Sequence, residues 1–181
     1  MQNPFTKELA LITDNEILSL TEKLIKHFPA PFWSKPASST GKYHPNSSAG
    51  EGGLVIHTKQ VFWIAKTIID TCLFDINPDI VLSACLLHDG WKYNESSCWT
   101  LKNHATIAVN EIDKIVRKDD FFAYGRPDWY LLLLDCILSH NGRFTKDWNY
   151  KNKLTDEQKI VHLADIISSR KFLLFNPGGI E

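Results

Sequence analysis

The stretch PDIVLSACLLHD, Pro78 to Asp89, constrains this chain more than any other. Wound at about 3.6 residues per turn, it shows apolar side chains on nearly every side. A helix built from it has no face to offer to water and must sit among other elements. Asn77 is a natural cap for its first turn, and Pro78 suits the first helical position, where a missing N–H costs nothing. Its carboxyl end carries His88 and Asp89, so these polar groups are delivered into an interior. The chain has 181 residues. That is the size of one domain, able to bury roughly 70% of its unfolded surface, enough to surround a central helix without staples.

The neighbours are legible as further helices. Thr13-Asp14 is a plausible cap for EILSLTEKLIKHF, which places Ile17, Leu18, Leu20, Leu24 and Ile25 on one side and is stopped by Pro29 and Pro31. From Phe28 to Gly53 the composition shifts to Pro, Ser, Gly and Lys, giving a long aperiodic segment that is either a linker or an ordered functional loop. A long helix starts near Leu54. Asn103 can cap HATIAVNEIDKIVRK, and Pro127 can open DWYLLLLDCILSH, which Asn141-Gly142 would close. Thr155 and Gln158 match a capping box, and IVHLADIISSRKFLLF is expected to run on to Asn176-Pro177. No run of strict alternation is present, so the expected fold class is all-α.

Composition narrows the function classes. The hydrophobic fraction is 44% and the charged fraction 23%, which excludes disorder and fibrous repeats. Lys+Arg number 20 against Asp+Glu 21, a net charge of −1. That balance does not suit a non-specific polyanion binder, although a local basic pocket for one phosphorylated ligand stays open. Cys72, Cys85, Cys98 and Cys136 form no C-x-x-C pair and read as reduced thiols. The amino terminus lacks the uninterrupted apolar core of a secretory signal, and no stretch approaches the ~18 apolar residues of a membrane span. A cytoplasmic protein is expected.

The histidines hold the chemistry. His57 falls early in the helix that starts near Leu54, and His88 and Asp89 end the central helix. His104 opens the next, His140 ends the one after, and Asp165 lies within the last. Six imidazole or carboxylate groups thus come from five helices. One histidine on an apolar helix is ordinarily a hydrogen-bonded core residue. Burying His88 and Asp89 together, however, would cost several kcal/mol unless the carboxylate is compensated, which a divalent cation does well. The helix breaks at Gly90, so both side chains can turn toward one ion. Mixed nitrogen and oxygen donors suit iron, manganese, cobalt, nickel or zinc better than calcium or magnesium.

In order and spacing, GGLVIHT (Gly52 to Thr58), LLHDGWK (Leu86 to Lys92), ILSHNG (Ile137 to Gly142) and VHLADIISSRK (Val161 to Lys171) resemble the HD-domain metal-dependent phosphohydrolases. The likeness spans Gly52 to Lys171 and is nearest to the HD module of bacterial 3′-to-5′ exoribonucleases and to small free-standing, including phage-encoded, HD proteins. It implies an HD-domain helical bundle over 52–175, preceded by an accessory helix and loop over 1–51 and followed by a tail over 176–181. It implies that His57, His88, Asp89 and Asp165 hold a first divalent transition-metal ion (Mn, Fe, Co, Ni or Zn). His104 and His140 would hold a second, with Asp89 bridging. Asn141 departs from the family's second histidine. The resemblance implies a hydrolase, phosphomonoesterase or phosphodiesterase, in which metal-activated hydroxide attacks phosphorus and Asp89 and Lys92 are catalytic.

Several residues keep two readings. Lys92 can meet a phosphate oxygen or leaving group, or be a solvated lysine satisfying the last helix carbonyls. Arg170 and Lys171 can contact phosphate or be surface charges. His162 shares a helix face with Asp165 and is expected to support or pack rather than ligate. In SSTGKYHP (Ser38 to Pro45), Lys42, Tyr43 and His44 form either a substrate lid, with Lys42 and His44 on phosphate and Tyr43 on a base, or a solvated connection. Trp63, Trp91, Trp99, Trp129 and Trp148 can stack on a base, but aromatic residues in a bundle are mostly core. The near-neutral charge favours a nucleotide or short oligonucleotide as the small phosphorylated substrate over a long polynucleotide. A regulatory or ligand-binding metal module without turnover, and a plain helical adaptor, are the competing classes. An oligomer of identical chains is compatible with the sequence, which identifies no face for it.

Overall fold

In the computed structural model, the residues described are 3–71, 75–96, 98–122, 125–142 and 154–172. Among them the central helix, α5 (Pro78–Leu87), is surrounded as its composition requires: every residue from Asp79 to Leu87 is buried. Asn77 accepts the Asp79 N–H at 3.0 Å and Pro78 occupies the first turn, so the start of the helix is set locally. Around it stand α2 (Asn15–Ile25), α4 (Gly53–Thr71), α7 (Asp128–Ser139) and α8 (Asp156–Ser168). Helix α4 also lies along α8, α7 along α8, and α6 (His104–Lys118) packs on α7. With the short α1 (Thr6–Leu9) and α3 (Ala30–Ser34), the described residues hold eight α-helices and no strand, an all-α fold. One apolar core runs without interruption from Phe5 to Ala164.

Local chemistry explains the boundaries. Asp14 caps α2 by accepting from the N–H groups of Glu16 and Ile17, and the Asp79 carboxylate takes the Thr13 and Asp14 N–H groups, joining the start of α2 to the start of α5. Thr155 and Gln158 form the reciprocal capping box expected of them.

Ahead of α2, the short α1 brings Leu9, with Phe5 just before it, into the core. Two expectations are corrected. Asn103 stands before α6, but its side chain makes no capping hydrogen bond. Helix α8 ends at Ser168, well short of Asn176. Ser168 and Ser169 turn their hydroxyls back to the carbonyls of Asp165 and Ile166, and hydroxyls that compete for the backbone in this way weaken a helix end. The expected stop at 176–177, the tail over 176–181, Cys72 and Trp148 lie outside the described residues.

The Phe28–Gly53 segment is ordered. Helix α3 and a 3-10 turn at Asn46–Ser48 both pack on α4. Phe28 stacks against Phe32 at 4.5 Å and meets the Trp91 ring edge-on at 5.0 Å. Trp91 is therefore core, and Trp63 and Trp129 are half-buried, whereas Trp99 is exposed. Cys85 and Cys136 are buried free thiols. No helix among the described residues is long and apolar enough to cross a membrane.

The Phe28 ring lies directly over Gly90, the residue after the His88-Asp89 pair, where a Cβ would come within 2.2 Å of it. Phe28 is itself packed between Phe32 and Trp91, so a shift of its ring disturbs those contacts. Gly90→Ala should therefore lower unfolding stability by ~1–3 kcal/mol in a denaturant titration. Adding Phe28→Leu should recover part of the loss.

Candidate metal centre

Helix ends aim the side chains. His88 caps α5 with helical φ and ψ (−54° and −39°), and its N–H still bonds to the Ala84 carbonyl at 2.9 Å. The chain then turns tightly, with Gly90 N–H on Leu87 O at 3.0 Å and Lys92 N–H on Asp89 O at 3.0 Å. His88 and Asp89 consequently point into the bundle from consecutive positions. His140 caps α7 in the same conformation, and His104 opens α6. His57 comes from the first half of α4 and Asp165 from α8. All four histidines and Asp89 are buried.

The six groups meet in two triplets, each of which could hold a metal ion: His57, His88 and Asp165 form one, and Asp89, His104 and His140 the other. Asp89 lies between the triplets and offers one carboxylate oxygen to each. Its Oδ2 is 3.4 Å from His57 Nε2 and 3.3 Å from His88 Nε2. Its Oδ1 is 3.1 Å from His104 Nε2 and 3.7 Å from His140 Nε2. Asp165 Oδ1 is 3.1 Å from His57 Nε2 and 4.0 Å from His88 Nε2.

The rings are fixed from behind. The Nδ1 atoms of His88, His104 and His140 lie 2.8, 2.9 and 2.6 Å from the carbonyls three residues earlier, Cys85, Leu101 and Ile137. A carbonyl only accepts, so each Nδ1 carries the proton and a neutral ring turns a bare Nε2 inward. Ser168 does the same for His57: its hydroxyl donates to the Asp165 carbonyl at 2.8 Å and accepts from His57 Nδ1 at 3.1 Å. His162 Nδ1 bonds to the His140 carbonyl at 2.6 Å, the supporting position expected of it.

This donor set fits a cation. His104 Nε2 and His140 Nε2 face each other at 3.1 Å beside a carboxylate oxygen, and two lone pairs so close repel unless a positive charge lies among them. The Asn141 amide, 3.1 Å from His104 Nε2, supplies only a neutral donor there. His57 Nε2, His88 Nε2 and Asp89 Oδ1 are fully buried without a hydrogen-bond partner. Orphaned groups of this kind are costly in a core of hydrocarbon and rare outside ligand sites.

The electrostatics agree. Burial opposes ionisation of Asp89, yet the Lys92 ammonium and neighbouring imidazoles hold its carboxyl well below the usual range. Asp165 is likewise held down against burial, chiefly by the His57 ring beside it. His57 is raised, because the closeness of the Asp165 and Asp89 carboxylates outweighs its burial. His140 is pushed down to about 3, first by burial and then by the closeness of the His88 and His104 rings.

The structure also places the outer candidates. Lys92 is not a solvated helix-end lysine: its ammonium bonds Asp89 Oδ2 at 2.6 Å. His44 is buried with its ring edge-on to His57, centroids 4.7 Å apart. Its pKa falls to about 3, first through burial and then through the closeness of His57 and the Lys92 ammonium. Lys42 and Tyr43 are exposed, with the Lys42 ammonium 5.1 Å from the Tyr43 ring centroid. Arg170 is half-buried past the end of α8, and Lys171 is exposed beyond it. Ser168 was not among the sequence candidates. Its signal was its position three residues after Asp165, on the same helix face.

Residues 54–170 match the family described as HD domain. No curated protein and no solved structure matches the chain.

Ser168→Ala removes the hydroxyl that orients His57 without touching the inward-facing donor atoms. Supporting partners of this kind typically carry about 10–100-fold in metal affinity. Manganese titration by calorimetry should show a loss in that range for one class of site, with the melting temperature of chelator-treated protein little changed.

Proposed function

The chain belongs to the HD-domain family, and from that premise we propose that it is a metal-dependent phosphohydrolase acting on a nucleotide or short oligonucleotide. The observation that carries the reading is the Asp89 carboxylate, which offers one oxygen to each of two triplets. His57, His88, Asp165 and Asp89 Oδ2 would hold one divalent ion, and His104, His140 and Asp89 Oδ1 a second. Manganese, iron, cobalt, nickel and zinc all accept such donors. Ions bound there would lower the pKa of coordinated water toward ~7 and offset negative charge on a phosphoryl group.

The chain's own residues do the rest. The Nδ1 bonds to Cys85, Leu101 and Ile137 keep three imidazoles oriented before any ligand arrives, so no reorganisation is needed during reaction. Burial around Asp89 thins the water that would screen these charges. Lys92 holds its ammonium on Asp89 Oδ2, three residues from the backbone that carries the carboxylate. From there it can pass to a phosphoryl or leaving-group oxygen. The net charge of −1 supports a compact phosphorylated substrate over a long polynucleotide.

A hydrolysis screen over nucleotides, cyclic nucleotides and short RNA or DNA, run in turn with manganese, cobalt, nickel, iron and zinc, tests the reading. Turnover should appear with at least one metal and disappear with chelator. Asp89→Asn and His88→Ala should each lose more than the ~100-fold that supporting residues carry, with helical circular dichroism retained. Metal uptake without turnover on any substrate would make the protein a ligand-binding HD module instead.

A further inference from the structure

His44 is a seventh group at the centre, and it arrives from outside the matched residues 54–170. The strap that carries it is fastened to the bundle on both sides. Tyr93 donates its hydroxyl to the Pro36 carbonyl at 3.0 Å, and the Ala37 N–H bonds to the Ser48 carbonyl at 2.9 Å. The hydroxyls of Ser39 and Thr100 are 3.2 Å apart, and the Thr100 N–H donates to Ser39 Oγ at 3.3 Å. Gln60 on α4 reaches Ser47 Oγ at 3.3 Å. Gly53 leaves no room for a side chain, since a Cβ there would meet the Ser48 carbonyl oxygen at 2.1 Å. His44 is thus a held residue in a wall, not the tip of a swinging loop.

Its surroundings ask for a ligand. The side chain is 7% exposed and presses edge-on against His57. Its Nδ1 is buried with no hydrogen-bond partner. In an interior where the other imidazoles each have a bonded Nδ1, an unpartnered one is an exception that costs stability unless a bound group completes it. It belongs to neither triplet, so it is not placed with the others around an ion. His44 lies on His57 and the Lys92 ammonium on Asp89 Oδ2, to which His57 Nε2 is also close, so the strap brings an imidazole and α5 an ammonium to one centre, a pair that suits an oxyanion.

We propose that His44 is a substrate-contacting residue that donates a hydrogen bond to a phosphoryl oxygen of a ligand held at the Asp89 centre, so that the strap over residues 36–48 forms one wall of the active site. This rests on the phosphohydrolase reading for its substrate class. The strap then makes the N-terminal region part of the site and not merely a layer packed on it.

The test uses the full chain loaded with manganese and measures the dissociation constant of orthophosphate by calorimetry, with manganese content and melting temperature on the same samples. His44→Phe keeps a ring against His57 and removes both nitrogens. It should weaken orthophosphate about 10-fold or more with manganese content unchanged. His44→Ala gives the same comparison without the added ring. His44→Asn and His44→Gln restore an amide donor near the Nδ1 and Nε2 positions, and at least one should return affinity to within about 3-fold of the parent. Unchanged orthophosphate affinity in His44→Phe and His44→Ala overturns the proposal, as does loss of manganese in place of orthophosphate, which would make His44 a metal ligand. Orthophosphate binding that depends on His44 in a protein that hydrolyses no ester upholds the contact and refutes the phosphohydrolase reading.

Discussion

A carboxylate buried at the end of a buried helix is the constraint on which the rest of this structure depends. Asp89 is 1% exposed and its carboxyl is held well below the usual range by Lys92, and charge in such a place is tolerated only where other charges or oriented donors compensate it. Lys92 from the next turn supplies an ammonium, and His57 from α4, His104 from α6 and His140 from α7 turn ring nitrogens toward the carboxylate, a donor set that a bound cation would complete. Helix α5 must be central for Asp89 to be buried, and the neighbouring helices must bring their histidines to its carboxyl end for that burial to be sustained. Packing and chemistry are the same requirement seen at two scales.

The way the rings are held follows from helix termination. The last carbonyls of a helix have no intrahelical partner. At the ends of α5 and α7, the capping residues His88 and His140 use such carbonyls, Cys85 O and Ile137 O, to fix Nδ1 and leave Nε2 facing inward. One bond therefore satisfies a helix end and selects a tautomer. Ser168 achieves the same at the end of α8, and its return bond to the Asp165 carbonyl contributes to the early stop of that helix. The end of α8 and the orientation of His57 share a cause.

The N-terminal region is bound into this arrangement. Phe28 covers Gly90 directly behind the dyad, Asp79 at the start of α5 gathers the backbone of Thr13 and Asp14, and the strap carries His44 against His57. What composition marks as a Pro-, Ser- and Gly-rich connection is a fastened layer because Tyr93, Thr100 and Gln60 supply partners for its backbone and hydroxyls. Those partners are distant in sequence, so no local pattern announces them.

Periodicity and capping residues determined the helices: an apolar circumference could only make α5 central, and Asn77-Pro78 and Thr155 with Gln158 marked starts through contacts within one turn. The order of His57, His88, Asp89, His104, His140 and Asp165 was likewise legible, because each lies in a local motif at a helix end or on a helix face. The family resemblance already implied their division around a bridging Asp89; only the tertiary structure decided that Lys92 is tied to Asp89, that Ser168 stands behind His57, and that His44 lies against His57 whereas Lys42 and Tyr43 face water. The physical reason is range. Helices are selected by interactions over three or four residues, whereas the partners of a buried polar atom are chosen by whatever the packed helices bring within about 3 Å of it.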